Sequence, residues 1–221
     1  MPTGTVSIFA SKDGYVNRTA QFSWELAHDE ATGTGASSTS TTSVVGIRAS
    51  ITGPGRGSGW YVSRCFFSFD TSSINNVPKS AQFRVRGITN NAITVIHTVK
   101  ATSDIESAIT TADFESIEGW DARNDNTGNV TYYGATTSSW STSSVNIIAL
   151  NQQALVDMAG QDRLNICLLA QRDIDNTGGS FPPMGSTDYN GLYFEEYTGT
   201  SRNPYLDIVE QDDSVFFGAN F

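Results

Sequence analysis

The chain has 221 residues, of which 38% are hydrophobic, and it suits one large β domain with many polar loops better than two domains. Its formal net charge is −10, which argues against nucleic-acid binding because phosphate recognition needs a basic surface. The scarcity of lysine likewise excludes a polybasic patch for anionic membranes, and no stretch approaches the ~18 apolar residues of a membrane-spanning helix.

The N-terminal segment lacks the features of a secretion signal. Residues 1–5 contain no basic residue, and the apolar run at residues 6–10 is shorter than a targeting core. We therefore expect synthesis in a cytosol. In that setting Cys65 and Cys167 are expected to be buried free thiols, with a disulfide between them as the alternative.

Short apolar segments separated by polar loops recur along the chain, which is the pattern of an antiparallel sandwich. The predicted strands are residues 5–10, 15–19, 44–51, 60–70, 81–88, 93–100, 145–150, 163–171, 192–197 and 204–209. Residues 29–43 and 173–191 are predicted to be long loops, and residues 113–117 either a short strand or one helical turn. One helix is predicted after Asn151, a suitable N-cap, and it ends at Gly160.

Alternation along the strands predicts which side chains face the core. An apolar strand at residues 64–74 ends in a polar turn, and apolar and basic residues alternate at residues 80–87, so these two strands are predicted to be neighbours. The side chains expected on core faces are Cys65, Phe67 and Phe69, Phe83 and Val85, and the set Val45, Ile47, Ala49 and Ile51. Residues 163–171 are almost wholly apolar and predict a central strand buried on both faces.

Three segments resemble a known family: residues 64–74 (RCFFSFDTSSI), 193–195 (YFE) and 204–208 (PYLDI). They are similar to motifs of DNRLRE-type domains, which are jelly-roll modules of the carbohydrate-binding-module type found in phage structural proteins and microbial surface proteins. The resemblance covers roughly residues 5–210 and specifies architecture better than function. With the strand pattern, it predicts an all-β antiparallel sandwich of jelly-roll type with one short helix at about residues 151–160. This single domain spans residues 1–210, and residues 211–221 form a C-terminal tail.

Side chains suited to catalysis are few. His97 lies on the apolar face of a predicted strand and is expected in the core, whereas His28 lies in a polar segment and is expected to be solvated. Six carboxylates lie within residues 104–121, and a glycosidase would need two of them facing each other across a cleft. No nucleophile or zinc motif is present, so the chain is predicted not to be an enzyme, with a carboxylate-based enzyme as the remaining alternative.

Two oxygen-rich turns are candidate calcium sites. One carries Asp121 and Asp125 and the other Asp173 and Asp175, and carboxylate oxygens are the ligands that calcium prefers. Neither turn matches an EF-hand loop, and ordinary Asx turns are the alternative. No cofactor is therefore expected, with calcium as the single candidate.

Aromatic residues at strand ends and in loops are the best candidates for binding, because flat rings stack on sugar faces or anchor protein interfaces. The candidates are Trp24, Trp60, Tyr61, Trp120, Tyr132, Tyr133 and Trp140. The alternative is that most of them close the ends of the sandwich. The aromatic tail, with Phe216, Phe217 and Phe221, is expected to dock onto another protein.

These features favour a non-enzymatic structural protein of a tailed-phage virion, either a capsid decoration or head-surface protein or a fibre-like subunit, made in the host cytoplasm. Its expected partners are capsid or tail proteins, sister subunits in a trimer (by analogy with phage accessory proteins) and, weakly, a cell-surface glycan. A carbohydrate-binding module of a microbial surface protein is the alternative. No nucleic acid or membrane is expected as a partner.

Overall fold

A computed structural model describes residues 4–21, 23–51, 58–92, 95–134, 139–180, 187–195 and 200–211. The strands are β1 (Thr5–Gln21), β2 (Gly35–Ser37), β3 (Thr42–Ile51), β4 (Ser58–Asp70), β5 (Ser80–Asn90), β6 (Ile96–Lys100), β7 (Val145–Ala149), β8 (Arg163–Ala170), β9 (Thr187–Tyr193) and β10 (Tyr205–Val209). The α-helices are α1 (Glu25–His28), α2 (Gln152–Gly160) and α3 (Gln171–Ile174). Short 3₁₀ helices span Ser103–Glu106, Thr111–Glu115, Gly178–Ser180 and Thr200–Arg202. Within the described ranges, no helix is both long and apolar enough to cross a membrane.

The strands form two layers that share β1 and β5. The first layer has the order β1–β10–β5–β7. The second has the order β2–β1–β4–β3–β9–β5, and β8 and β6 continue from the C-terminal half of β4. Every ladder between the described strands is antiparallel, and the predicted antiparallel β-sandwich is confirmed.

The first hydrophobic core lies between the two layers. Cys65, Phe67 and Phe69 of β4 share it, as predicted from their spacing, and the ring of Phe67 lies 5.0 Å from that of Phe83 on β5. The prediction that β4 and β5 are adjacent strands is wrong. β4 pairs with β1, β3 and β8, while β5 pairs with β10, β7 and β9, so the two strands face each other across the core.

A second hydrophobic core covers the opposite face of β4 and β8. Phe66 and Cys167 point into it from the strands, and Ile105, Phe114 and Ile117 close it from the segment between β6 and β7. A two-layer sandwich would leave this face to water, whereas here a layer of loops and short helices covers it. Every residue of β8 after Arg163 is buried for this reason, which confirms the predicted central strand.

Several predicted loops contain regular structure. The predicted strands at residues 5–10 and 15–19 are one continuous β1 with an irregularity between Ala10 and Lys12. The segment at residues 29–43 contains β2, and the segment at residues 173–191 contains the second half of α3 and most of β9. These elements are short or polar, so they carry no clear apolar period.

Helix α2 forms where the sequence predicts it. The side chain of Asn151 accepts a hydrogen bond from the backbone N–H of Ala154 at 3.0 Å, which satisfies one of the free donors of the first turn. Ala154, Leu155 and Met158 are buried against the first core. At residues 113–117 the helical alternative is correct for the first part, because Thr111–Glu115 is a 3₁₀ helix.

Strand β3 changes the core that it faces part-way along. Val45 belongs to the first core, but Ile47 and Ala49 belong to the second, so the predicted common face of this strand is wrong. The change occurs at Gly46, whose φ of +129° is rarely adopted by residues with a side chain.

The two cysteines are free and buried. Phe66 of β4 is the register partner of Cys167, so Cys65 and Cys167 lie on adjacent strands, but they point into different cores. Side chains on opposite faces of a sheet cannot form a disulfide. The prediction of free thiols is confirmed, and burial raises the pKa of both.

Candidate functional site

A surface groove lies among residues of β1, β3, β4, β5 and β9. Its larger part has a volume of about 300 Å³. Val44 and Tyr61 also line the adjoining part, of about 280 Å³, so the two parts are contiguous. The groove is lined by Tyr15, Thr42, Ser43, Val44, Arg48, Tyr61, Ile88, Thr89, Tyr189 and Gly191. Its size and its mixture of rings and hydroxyls suit a small polar ligand.

Strand register places the groove residues. Tyr61 of β4 lies directly opposite Arg48 of β3, and Tyr189 of β9 lies opposite Gly46. The backbone of β9 lies close against Gly46, where a Cβ atom would be 2.2 Å from the carbonyl oxygen of Asp188. Tyr15 enters from β1, where it pairs with Cys65 and packs against the first core. Three tyrosines from three strands therefore line the groove.

The electrostatics of the groove keep its central phenol neutral. Burial raises the pKa of Tyr61 above its ordinary value, and the nearby Tyr15 adds to this rise, whereas Ser63 and the positive charge of Arg48 partly offset it. At neutral pH Tyr61 can therefore donate a hydrogen bond as well as accept one. Arg48 is exposed and makes no ion pair with any residue that the structure describes.

Four of the seven aromatic residues predicted to bind a ligand are buried. Their exposed fractions are 5% for Trp24, 8% for Trp60, 1% for Tyr133 and 5% for Trp140. The hydroxyl of Tyr133 donates to Asp157, and the indole N–H of Trp140 donates to the carbonyl of Gly191 at 3.1 Å. These rings pack the two cores and are not available to a ligand. Tyr61 is the one member of the set in the groove.

The two remaining aromatic candidates are partly buried elsewhere. Trp120 lies over the guanidinium of Arg64, with 4.0 Å between the ring centre and Cζ. Tyr132 packs edge-on against the ring of His97 at 5.4 Å, and burial raises its pKa. His97 itself is buried, as predicted. Neither Trp120 nor Tyr132 lines the groove.

A fully buried ion pair lies in the second core. The guanidinium of Arg64 donates to both carboxylate oxygens of Asp173, at 2.8 and 2.9 Å, and to the carbonyl of Phe114 at 2.5 Å. His28 completes the cluster, with Nε2 2.8 Å from the carbonyl oxygen of Asp173 and Nδ1 2.7 Å from Asp29. The expectation that His28 is solvated is wrong, because α1 turns its ring into this core.

The calcium candidates serve other contacts. Asp173 is occupied by Arg64, whereas Asp121, Asp125 and Asp175 each accept a backbone N–H two residues further along the chain. These are the Asx turns of the alternative interpretation. Within the described part of the chain, no group of three or more carboxylate, histidine or cysteine side chains is arranged to hold a metal.

Most carboxylates of residues 104–121 also have local partners, but one oxygen of Glu115 is buried without a hydrogen-bond partner among the described residues, and burial raises the pKa of this side chain. Asp113 caps its 3₁₀ helix through Thr110, Glu106 accepts from Asn165, and Glu118 pairs with Lys100. The predicted docking residues Phe216, Phe217 and Phe221 lie outside the described residues.

The outer face of the first layer carries a row of side chains that is exposed at its two ends and partly buried between them. Register pairs Phe9 with Tyr205, Tyr205 with Arg84, and Arg84 with Ile147, so the row crosses all four strands. Phe9 is 45% exposed and Ile147 is 54% exposed. Arg84 forms an ion pair with Asp207 at 2.8 Å. We call these four residues, Phe9, Tyr205, Arg84 and Ile147, the outer row.

No protein-family model and no curated protein matches this chain. The resemblance to DNRLRE-type domains therefore stays a prediction, and the function has to be argued from the groove and the outer row.

Of the ten groove residues, only Tyr61 was predicted from the sequence to bind a ligand, and Tyr15, Arg48 and Tyr189 were not. Arg48 lies within a predicted strand, whereas the predicted binding residues were chosen from strand ends and loops. Tyr15 begins a predicted strand and Tyr189 falls in a predicted loop. The sequence does contain one indication of Tyr15 and Arg48. Both lie on the polar side of alternating strands, among polar neighbours, and nothing else in the sequence singles out these residues or Tyr189.

Proposed function

We propose that the protein is a non-enzymatic structural subunit of a tailed-phage virion, at the head surface or in a fibre-like assembly. The family resemblance at residues 64–74, 193–195 and 204–208 supports this proposal. The observation that carries it is the outer row. A particle subunit needs a surface that binds its neighbours, and the outer row offers one on a regular four-stranded face.

The outer row has the composition of a protein contact. Phe9 and Ile147 are large apolar side chains kept in water, and Tyr205 lies between them with its ring 5.6 Å from that of Phe9. Aromatic residues and arginine are enriched where proteins meet. Phe9 and Ile147 are already about half buried, so their complete burial against a neighbour would contribute roughly 1 kcal/mol for each side chain.

The test compares particles that carry variants of this chain. Replacing the exposed apolar pair, Phe9→Ser with Ile147→Ser, is expected to lower the copies per particle at least tenfold, as measured by quantitative mass spectrometry. The matched control is Leu26→Ser with Val156→Ser, whose side chains are 48% and 44% exposed on other faces. The control is expected to be incorporated normally. Circular dichroism of each purified variant verifies that it is folded.

Absence of the wild-type chain from purified particles would contradict the structural role. If the two double variants are incorporated equally, the outer row does not contribute to the structural role. In the same assay, deletion of residues 214–221 tests whether the predicted tail docking contributes, and unchanged incorporation would argue against it.

A second candidate function, binding of a glycan, is favoured by the groove. Tyr15, Tyr61 and Tyr189 supply rings, and the hydroxyls of Thr42 and Thr89 lie beside them. Rings with neighbouring hydroxyls match the apolar faces and hydroxyl groups of a sugar. Trp60 and Trp140, two of the predicted binding residues, are buried, so their replacement would test stability instead of binding.

A further inference from the structure

Six of the 13 basic residues of this protein form ion pairs with carboxylates in the described part of the chain, and Arg48 is not one of them. The basic residues that form ion pairs with carboxylates are Arg18, Arg64, Arg84, Lys100, Arg163 and Arg172. Arg48 has no such partner among the described residues, although the chain has 23 acidic residues for 13 basic ones. An unpaired guanidinium beside a groove is free to pair with a ligand.

Register and electrostatics place the charge of Arg48 beside the groove. Arg48 lies directly opposite Tyr61 in the ladder between β3 and β4, and both residues line the same part of the groove as Tyr189. The charge of Arg48 acts on Tyr61, whose pKa it lowers against the effect of burial. A ligand that stacks on Tyr61 would therefore lie within reach of the guanidinium.

We propose that the groove binds a saccharide that carries a carboxylate, with the carboxylate on Arg48 and the sugar ring against Tyr61 and Tyr189. This inference rests on glycan binding, the second candidate function. A guanidinium presents paired N–H donors that match the two oxygens of a carboxylate, whereas a neutral sugar leaves that charge unmatched.

Further polar groups of the groove suit the hydroxyls of such a ligand. Thr42, Ser43 and Thr89 line its larger part. The hydroxyl oxygen of Thr89 is buried and has no hydrogen-bond partner among the described residues. A buried hydroxyl without a partner costs free energy, and a ligand hydroxyl could supply the missing bond.

The net charge of −10 does not prevent an acidic ligand from binding. At physiological ionic strength the screening length is about 8 Å, so distant carboxylates are largely screened. The carboxylate of a bound sugar would feel mainly Arg48, which is in direct contact. The preference for an acidic ligand should therefore be local and should weaken as salt is raised.

The experiment uses the full chain and matched pairs of oligosaccharides. Each pair consists of one containing glucuronic acid and the same molecule with its carboxyl group reduced to a hydroxymethyl group. Titration calorimetry at low salt is expected to show the acidic member bound about fivefold more tightly or better. Arg48→Gln should remove this preference and keep binding of the neutral member. Arg123→Gln, at another exposed arginine, should keep the preference.

Two further variants separate this inference from glycan binding itself. Tyr61→Ala should weaken both members of a pair, and Tyr61→Phe should keep the stacking surface. If the wild type binds both members equally, or the preference survives Arg48→Gln, the inference is wrong and glycan binding stands. If the wild type binds neither member of any pair, both are wrong.

Discussion

Arg64 shows how one residue can be charged and still lie fully inside the protein. Its guanidinium lies between the rings of Phe114 and Trp120, 4.0 Å from each ring centre, and its N–H groups bond to Asp173. The ring faces and the carboxylate together replace the water that the charge has lost. This cluster links β4 to the loop layer that covers the second core.

Replacement of Asp173 by asparagine removes the negative partner and leaves a buried positive charge. We expect Asp173→Asn to lower the free energy of unfolding by about 3 kcal/mol or more in urea denaturation. The control is Glu30→Gln, which breaks the exposed pair with Arg18 at 3.7 Å and should cost less than about 1 kcal/mol. A loss below about 1 kcal/mol for Asp173→Asn would mean that the two rings and the neutral acceptors, such as the carbonyl of Phe114, stabilise the guanidinium without the negative charge.

Trp60 and Tyr61 show how far the sequence alone could predict the position of a single side chain. Trp60 and Tyr61 are adjacent, and both were predicted to bind a ligand. In the structure Trp60 points into the second core, whereas Tyr61 points into the groove. Alternation predicts that the two side chains take opposite faces, but it does not predict that Trp24, from another segment of the chain, packs against Trp60.

The path of strand β3 depends on a single residue, Gly46. Gly46 allows the strand to leave the first core and join the second, and a Cβ atom there would lie 2.2 Å from the carbonyl oxygen of Asp188. The neighbouring strand β9 cannot move away without disturbing its ladder with β3.

We expect Gly46→Ala to lower the free energy of unfolding by about 3 kcal/mol, because both the backbone angle and the contact with β9 become unfavourable. Gly160→Ala is the control, since a Cβ atom at the end of α2 would meet nothing within 4 Å. The control should be neutral or stabilising by up to about 1 kcal/mol. Equal losses for the two variants in thermal and urea unfolding would contradict this role of Gly46.

Elements with a strong local pattern were the ones that sequence predicted. Strands β4, β5 and β8 and helix α2 were found near their predicted bounds, because apolar period and capping are local properties. The layer over the second core was not predicted. Its short 3₁₀ helices and turns, such as Thr111–Glu115, are stabilised by contacts with β4 and β8 that no local pattern reveals.

In the whole molecule, the two cores share the same strands. β4 and β8 contribute side chains to both, so loss of either core would expose one face of the strands that support the other. Single domains with such shared elements unfold cooperatively. Tryptophan offers a probe for each core, since Trp140 lies in the first and Trp24 and Trp60 in the second.

We expect all four tryptophans to report one transition. In protein labelled with 5-fluorotryptophan, the ¹⁹F resonances should lose their native positions at a common urea concentration. A lower midpoint for Trp24, Trp60 and Trp120 than for Trp140 would show instead that the loop layer over the second core unfolds first. Far-UV circular dichroism of the same sample should follow the common transition.

The pairing of β1 with β10 brings the two ends of the described chain together. Thr5 is the register partner of Val209, so both ends of the described chain leave the sandwich side by side. Tyr15 lies ten residues along β1, which corresponds to roughly 30 Å of extended strand. An anchor joined at either end would therefore lie up to roughly 30 Å from the groove and leave the groove accessible to molecules in solution.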